Sequence, residues 1–126
     1  SSYTSVSGQS AQMGPKMDVN LPDKVYFEFD NFDLGDDAMD TLEQYIRFAK
    51  RAKAIRLEGH CDERGTREYN LALGEKRAQS VEEFLIVNGI SSSKIDVVSY
   101  GEERPDSLGS SESAYKANRR VEISLY

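Results

Sequence analysis

The sequence predicts an α+β domain, a two-layer sandwich whose elements run β-α-β-α-β-β with the helices on one face of a mixed sheet. Three observations carry this. Short β-branched and aromatic runs recur at residues 25–29, 54–60, 95–100 and 121–126. Between the first three lie two stretches with apolar residues at helical spacing: Met39, Leu42, Ile46 and Ala49, then Leu71, Ala78, Val81 and Leu85. Finally, 126 residues suit one domain, and 38% apolar with 30% charged residues implies a modest core under a heavily charged surface.

Taken in order, SSYTSVSGQSAQMGPK is rich in Ser, Gln and Gly, lacks apolar periodicity and ends at Gly14-Pro15. It reads as a flexible tether, so residues 1–20 are assigned to the tether and 21–126 to the domain. The strand at 25–29 runs into a polar turn, Asp30-Asn31. Asp36 is the expected N-cap of the first helix, whose acidic start (Asp36, Asp37, Asp40) and basic end (Lys50, Arg51, Lys53) suit the helix dipole. Residues 54–60 alternate, with Ile55, Leu57 and Gly59 opposite Arg56, Glu58 and His60, which predicts a half-buried strand. The second helix stops at Asn88-Gly89, while its start is not marked. A third strand, a long loop at 101–113, a helical turn at 112–116 and a last strand complete the chain. There is no internal repeat.

The net charge of −6 argues against nucleic acid, whose binding draws on clustered Lys and Arg. No run approaches the roughly 18 to 20 apolar residues that cross a bilayer, and the start lacks a signal-peptide layout. The chain as it stands reads as soluble, and it could be the mature part of an exported or lipid-anchored protein. The lone Cys61 excludes an internal disulfide and leaves the compartment open.

His60, Cys61, Asp62 and Glu63 invite a test for metal or nucleophilic chemistry. On a strand His60 and Cys61 point to opposite faces, so they cannot share a metal or act as base and nucleophile. There is no second His, and a zinc site would need three or four ligands that only distant acidic residues could complete. Cys61 reads as a small filler near a strand end. No metal, cofactor or catalytic residue is expected. Asp36-Asp37 and Glu102-Glu103 are explained by helix-start or surface charge, and no Gly-rich phosphate loop is present.

What remains is the charge density from Asp62 to Arg77. Such a run is most often a solvated face. Asp62, however, sits where a strand ends, a common binding position. Arg77 directly precedes Ala78 of the apolar stripe, which should bury its stem and hold its guanidinium. A fixed carboxylate beside a fixed guanidinium could clamp a zwitterion, or the two could pair with each other.

The segment GHCDERGTREYNLALGEKRAQSV, with VYFEFDNFDL, VSYGEERP and AYKANRRVEI in that order, resembles the OmpA C-terminal-like peptidoglycan-binding domains. Within them it is most similar to the peptidoglycan-associated lipoprotein branch. The resemblance covers residues 25–126. It implies a peptidoglycan peptide stem as ligand, centred on meso-diaminopimelate, whose free end carries an ammonium and a carboxylate. It implies Asp62 and Arg77 as the clamp, Asp30 as a further acidic contact, and Phe29, Thr66, Asn70 and Leu73 as neighbouring contacts. Arg119 and Arg120 are implied mainly as supports of the fold, one of them able to line the pocket.

A non-catalytic wall anchor on the periplasmic face of a Gram-negative outer membrane follows from the resemblance, held by a lipid outside this chain. So does a TolB-like periplasmic β-propeller partner. Alternatives are another OmpA-like wall anchor, such as an outer-membrane barrel tail or a flagellar stator domain, and a wall hydrolase using Cys61. The sequence departs from the family pattern at Cys61 (usually Thr or Ala), Arg67 (often Pro) and Lys76 (often Arg). One geometric difficulty stands: on a straight helix from Thr66, Arg77 lies about 16 Å along, at about 1.5 Å per residue. Either the Asp62 loop folds back along the helix or the regular helix starts later, with Gly74 a weak point.

Overall fold

The computed structural model describes residues 14–126. Seven elements follow one another: β1 (Lys24–Tyr26), α1 (Asp36–Arg51), β2 (Ile55–His60), α2 (Arg67–Val87), β3 (Ile95–Gly101), α3 (Glu112–Asn118) and β4 (Arg120–Leu125), with one 3-10 turn at Ser92–Lys94 before β3. The sheet order is β1-β4-β2-β3. β2 pairs in parallel with β3 and antiparallel with β4, which pairs antiparallel with β1. This is the expected α+β arrangement with a mixed sheet, and α3 extends the helical turn expected at 112–116.

The core lies between sheet and helices. Leu42, Tyr45 and Ala49 of α1 and Ala78, Val81 and Leu85 of α2 meet Val25, Ile55, Leu57, Val97, Val121 and Ile123 from one sheet face. The helix-spaced stripes thus supply most of the buried surface, where each full Leu or Val burial contributes about 1.5–3 kcal/mol; on α1 Met39 and Ile46 stay half-buried and Ala38 and Tyr45 complete the buried face. Of the expected tether, residues 1–13 fall outside the described part. The remainder includes Met17 and Val19, which pack against the core, and the Met17 N–H donates to the Leu125 carbonyl at 2.7 Å.

Several local expectations are corrected. β1 ends at Tyr26 rather than at Phe29, because Glu28–Asn31 closes a turn in which Asp30 takes a positive φ of 52°. Gly35, not Asp36, occupies the N-cap of α1, without a side-chain cap; Asp36 and Asp37 lie in the first turn, where their charge meets the dipole. Leu71 is only half-buried, since the first turns of α2 project beyond the sheet. β2 is not half-buried. It is a central strand, and its far face carries Arg56 and His60, each 2% exposed, beneath Tyr100. There Arg56 donates to the Tyr100 hydroxyl at 3.0 Å, the His60 ring stacks on that of Tyr100, and the Arg104 guanidinium covers the other part of the ring. Alternation marks which face a side chain takes; tertiary cover decides whether that face is wet.

One crossing sets the position of everything that follows. β2 and α2 touch at Gly59 and Gly74, so closely that a Cβ on Gly59 would stand 1.8 Å from the Gly74 carbonyl oxygen. Gly74 is therefore a contact point within a continuous helix, not a place where it starts or weakens.

Candidate functional site

Beyond His60 the Cys61 N–H donates to the Gly101 carbonyl at 2.9 Å, and the chain leaves the sheet. The loop to α2 closes on itself. Asp62 Oδ1 accepts from the Arg64 N–H at 3.0 Å, Gly65 turns the chain at φ +104°, and Thr66 caps α2 by accepting from the Tyr69 N–H at 3.1 Å. Asn70, 1% exposed, staples this loop to the helix, its Nδ2 donating to the carbonyls of Asp62 (3.3 Å) and Arg64 (3.1 Å) and to Glu102 Oε1 (2.6 Å).

That geometry answers the reach problem. The helix does begin at Arg67, but β2 crosses it at Gly74, so the strand end arrives beside Arg77 and the loop then folds back over the first turns. Arg77 is 1% exposed. Its Nη1 donates to the His60 carbonyl at 3.0 Å, its Nε to Asn31 at 2.8 Å and its Nη2 to Glu28 at 3.1 Å. One guanidinium thereby ties the turn after β1 to the end of β2. Burial pulls its pKa below the usual guanidinium value, and none of these three partners is a carboxylate.

Asp62 and Arg77 do not pair with each other. Asp62, 4% exposed, is held by Arg64 (Nη2 to Oδ2 2.9 Å, Nε to Oδ1 3.2 Å) and more loosely by Arg119 Nη1 at 3.5 Å. Burial pushes the Asp62 carboxyl up, but the Arg64 side chain and N–H, with Arg119, outweigh it and hold the pKa below the ordinary carboxylate value. Arg64 is itself positioned by two aromatic rings, its guanidinium 4.2 Å from the centroids of both Phe29 and Tyr115.

A cavity of about 220 Å³ opens between these groups. Of the seven expected residues, Phe29, Asp30, Asp62, Asn70, Leu73 and Arg77 line it; Thr66 does not, being spent as the N-cap. Cys61, Arg64, Gly65 and Tyr69 complete the wall. The Tyr69 hydroxyl donates to Asp30 Oδ1 across the rim. Arg64 lies two residues from Asp62, a spacing at which an Asx turn could have signalled it; Tyr69 is joined to a residue 39 positions earlier, which no local pattern reveals. Of the two arginines near the C-terminus, Arg119 reaches Asp62 and also donates to the Phe27 carbonyl at 2.9 Å, whereas Arg120 pairs with Glu122 on the far side of the sheet. Cys61 is 3% exposed, its Sγ lies 3.3 Å from the Asn70 carbonyl, and burial pushes the thiol up to about 11.

A larger open groove, about 870 Å³, runs beside β1 between the start of α1 and the end of α3. Arg119 is the one buried charged side chain in its wall, and that guanidinium is already committed to Asp62 and Phe27. The smaller cavity holds both a buried carboxylate and a buried guanidinium, and is therefore the candidate site.

Known proteins share this sequence and fold. The peptidoglycan-associated lipoprotein of Pseudomonas aeruginosa is 48% identical over 99 residues, covering 78% of this chain and 59% of that protein. That of Mesorhizobium japonicum is 42% identical over 109 residues, covering 85% and 65%. The chain thus spans about three fifths of the length of the curated relatives it matches. The crystal structure of the peptidoglycan-associated lipoprotein from Burkholderia pseudomallei superposes with a TM-score of 0.80 at 37% identity, covering 83% of this chain and 91% of that one. The OmpA family model matches residues 26–119, from the end of β1 through the Asp62 loop, α2 and Arg119, and the chain belongs to the OmpA family.

Proposed function

We propose that this domain binds peptidoglycan without catalysis and takes the zwitterionic end of a peptide-stem residue, meso-diaminopimelate, between Asp62 and Arg77. One observation carries the reading: a buried carboxylate and a buried guanidinium line one small cavity, and the three hydrogen bonds that hold Arg77 go to backbone carbonyls, not to a carboxylate. A desolvated cation facing neutral acceptors gains from an incoming carboxylate far more than an exposed one would. Three of the five guanidinium N–H groups are occupied, which leaves two for such a ligand.

The ammonium would meet Asp62, whose oxygens Arg64 now holds. Arg64 thus acts as a stand-in for the ligand's positive end. Ligand entering the cavity displaces or shares it, while Phe29 and Tyr69, 58% and 51% exposed, offer apolar rims to the stem's carbon chain. Because the bond at Asp62 replaces the one Arg64 makes there, a single site is weak, about 1.5–3 kcal/mol per bond before that offset. Many copies held at one membrane facing a continuous polymer would convert weak sites into firm attachment. On this reading the protein is a lipid-anchored wall anchor at the periplasmic face of the outer membrane, with a TolB-like β-propeller as a partner. A hydrolase built on Cys61 is disfavoured by a thiol that is buried and hard to ionise.

Co-sedimentation with purified peptidoglycan tests this. Wild type is expected in the pellet and to be released by a free diaminopimelate-containing peptide. Asp62→Ala and Arg77→Ala should lose binding by about tenfold or more, the loss of one such bond. Undiminished binding by both variants refutes the clamp, and release of soluble wall fragments that Cys61→Ala abolishes refutes the non-catalytic reading.

A further inference from the structure

The face of the sheet turned away from the helices carries a second cluster, separate from the cavity. Residues alternate along β2, so Glu58 and His60 share that face. In the antiparallel β2/β4 register Glu58 lies opposite Glu122, which sets a third donor beside them. One ligand atom from each of Glu58, His60 and Glu122 lies within 4.8 Å of the others.

Two independent features point to a missing occupant. His60 is 2% exposed, yet neither ring nitrogen has a hydrogen-bond partner among the described residues. Its Nε2 stands 3.7 Å from Glu58 Oε1, too far for a hydrogen bond. A neutral imidazole carries one donor and one acceptor, and leaving both unmet inside a protein is unusual. The carboxylates, in turn, are held from behind. Arg56 Nε takes Glu58 Oε2 at 3.0 Å, and Arg120 Nε takes Glu122 Oε2 at 2.6 Å. Each glutamate is thereby clamped through one oxygen, with the other available toward His60, the way outer hydrogen bonds orient metal ligands.

We propose that Glu58, His60 and Glu122 form a site for a first-row divalent cation of the zinc type. One imidazole nitrogen with two carboxylate oxygens is a borderline donor set, which favours such a cation over magnesium or calcium. Three protein ligands leave a fourth position for water. The ligand atoms need to draw together modestly to reach zinc distances of about 2.0–2.2 Å, a movement within reach of the two half-buried glutamates. Arg56 and Arg120 offset the carboxylate charge, and Asp96, 3.4 Å from Arg56 Nη1, partly returns it. Binding is therefore driven by local coordination rather than net charge, and is weaker than at a four-ligand structural zinc site. The site backs onto the cavity through a single residue, since the His60 carbonyl on the same strand holds Arg77.

The chain has one histidine, so the test has an unambiguous reporter. Tag-free protein stripped with chelator is titrated with zinc sulfate by calorimetry, alongside nuclear magnetic resonance of the His60 ring nitrogens. Saturable binding of a single ion that shifts the His60 ring signals is expected, with magnesium sulfate giving neither effect. Glu122→Gln and Glu58→Gln keep the shape and an acceptor for the arginines, so they test ligation in a folded protein. Each should weaken zinc by about tenfold or more. His60→Gln should abolish binding, whereas Cys61→Ala should leave it unchanged. No saturable binding at millimolar zinc, binding that leaves the His60 ring signals in place, or equal affinity in both glutamate variants overturns the proposal. Peptidoglycan co-sedimentation by metal-free protein keeps this outcome separate from that of the cavity.

Discussion

Gly59→Ala probes the crossing on which the cavity depends. The added Cβ would stand 1.8 Å from the Gly74 carbonyl oxygen and 2.5 Å from its carbonyl carbon, both backbone atoms within a continuous helix. Ordinary contact begins at 3.4 Å, so α2 must retreat from β2 by 1.6 Å, the difference between the two distances. A gap even half that wide forfeits about a quarter to a half of each affected dispersion contact. Those contacts include Ala78, Val81 and Leu85 against Ile55 and Leu57, all in the one core. The same retreat pulls Arg77 Nη1 from the His60 carbonyl, now at 3.0 Å. Overpacking against rigid backbone together with these losses should destabilise the domain by about 3 kcal/mol or more, from a total of about 5–15 kcal/mol. Equilibrium urea unfolding measures it. Gly35→Ala, where nothing lies within 4 Å of the new Cβ, is the companion variant and should cost no more than about 1 kcal/mol, the loss of a tolerable cap residue. If Gly59→Ala costs under about 1 kcal/mol with an unchanged denaturant slope, the crossing is not a rigid point.

Further outcomes follow from the polar groups. Arg77→Lys keeps the charge but cannot direct three donors at Glu28, Asn31 and His60 as the guanidinium does, so stability should fall by about 2–4 kcal/mol; a thermally neutral variant would refute the latch. Burial pushes the Glu58 carboxyl up, but the nearby His60 ring and the Arg56 guanidinium, which donates to it at 3.0 Å, outweigh this and hold its pKa below the ordinary carboxylate value. A folded pKa below the unfolded one means that ionised Glu58 stabilises the fold. That contribution, about 1.5 kcal/mol for one hydrogen bond to a partly solvated charge, is complete above 4.5 and lost as pH falls below it. Urea unfolding of wild type and Glu58→Gln should therefore differ most above that pH and converge below it; a constant difference refutes the assignment. Cys61, with its thiol pushed up to about 11, should react with iodoacetamide at pH 8 about a hundredfold more slowly in the native protein than in urea, and equal rates would contradict its burial.

The elements were legible because each advertises itself locally. The stripe of α1, the alternation of β2 and the Asn88-Gly89 stop all depend on residues within a turn or two of one another. Six of the seven expected site residues line one cavity: Asp62 and Arg77 come from the two sides of the β2–α2 junction, Asn70 and Leu73 from α2, and Phe29 and Asp30 from the distant turn after β1. Thr66 stands outside that lining because a hydroxyl before a helix has a competing local use as its cap. The far face of β2 was misread for another reason. Arg56 and His60 look solvent-facing by alternation, and only the packing of Tyr100 and Arg104 covers them.

Fold class and most of the helix stripes could thus be read from the chain, since hydrophobic period and capping chemistry act over a few residues, while the acid and arginine of the proposed clamp rested on a family resemblance. The partners of those groups could not be read from the chain. Arg64 apart, that Asp62 meets Arg119 rather than Arg77, and that Arg77 meets three carbonyls, follows from the Gly59 and Gly74 contact, which sets strand end against mid-helix. Glu122 comes beside Glu58 and His60 only through antiparallel pairing across 64 residues of sequence, the separation of positions 122 and 58. Register and crossing point are properties of the packed sheet, set by the total burial they allow, and no local window contains them.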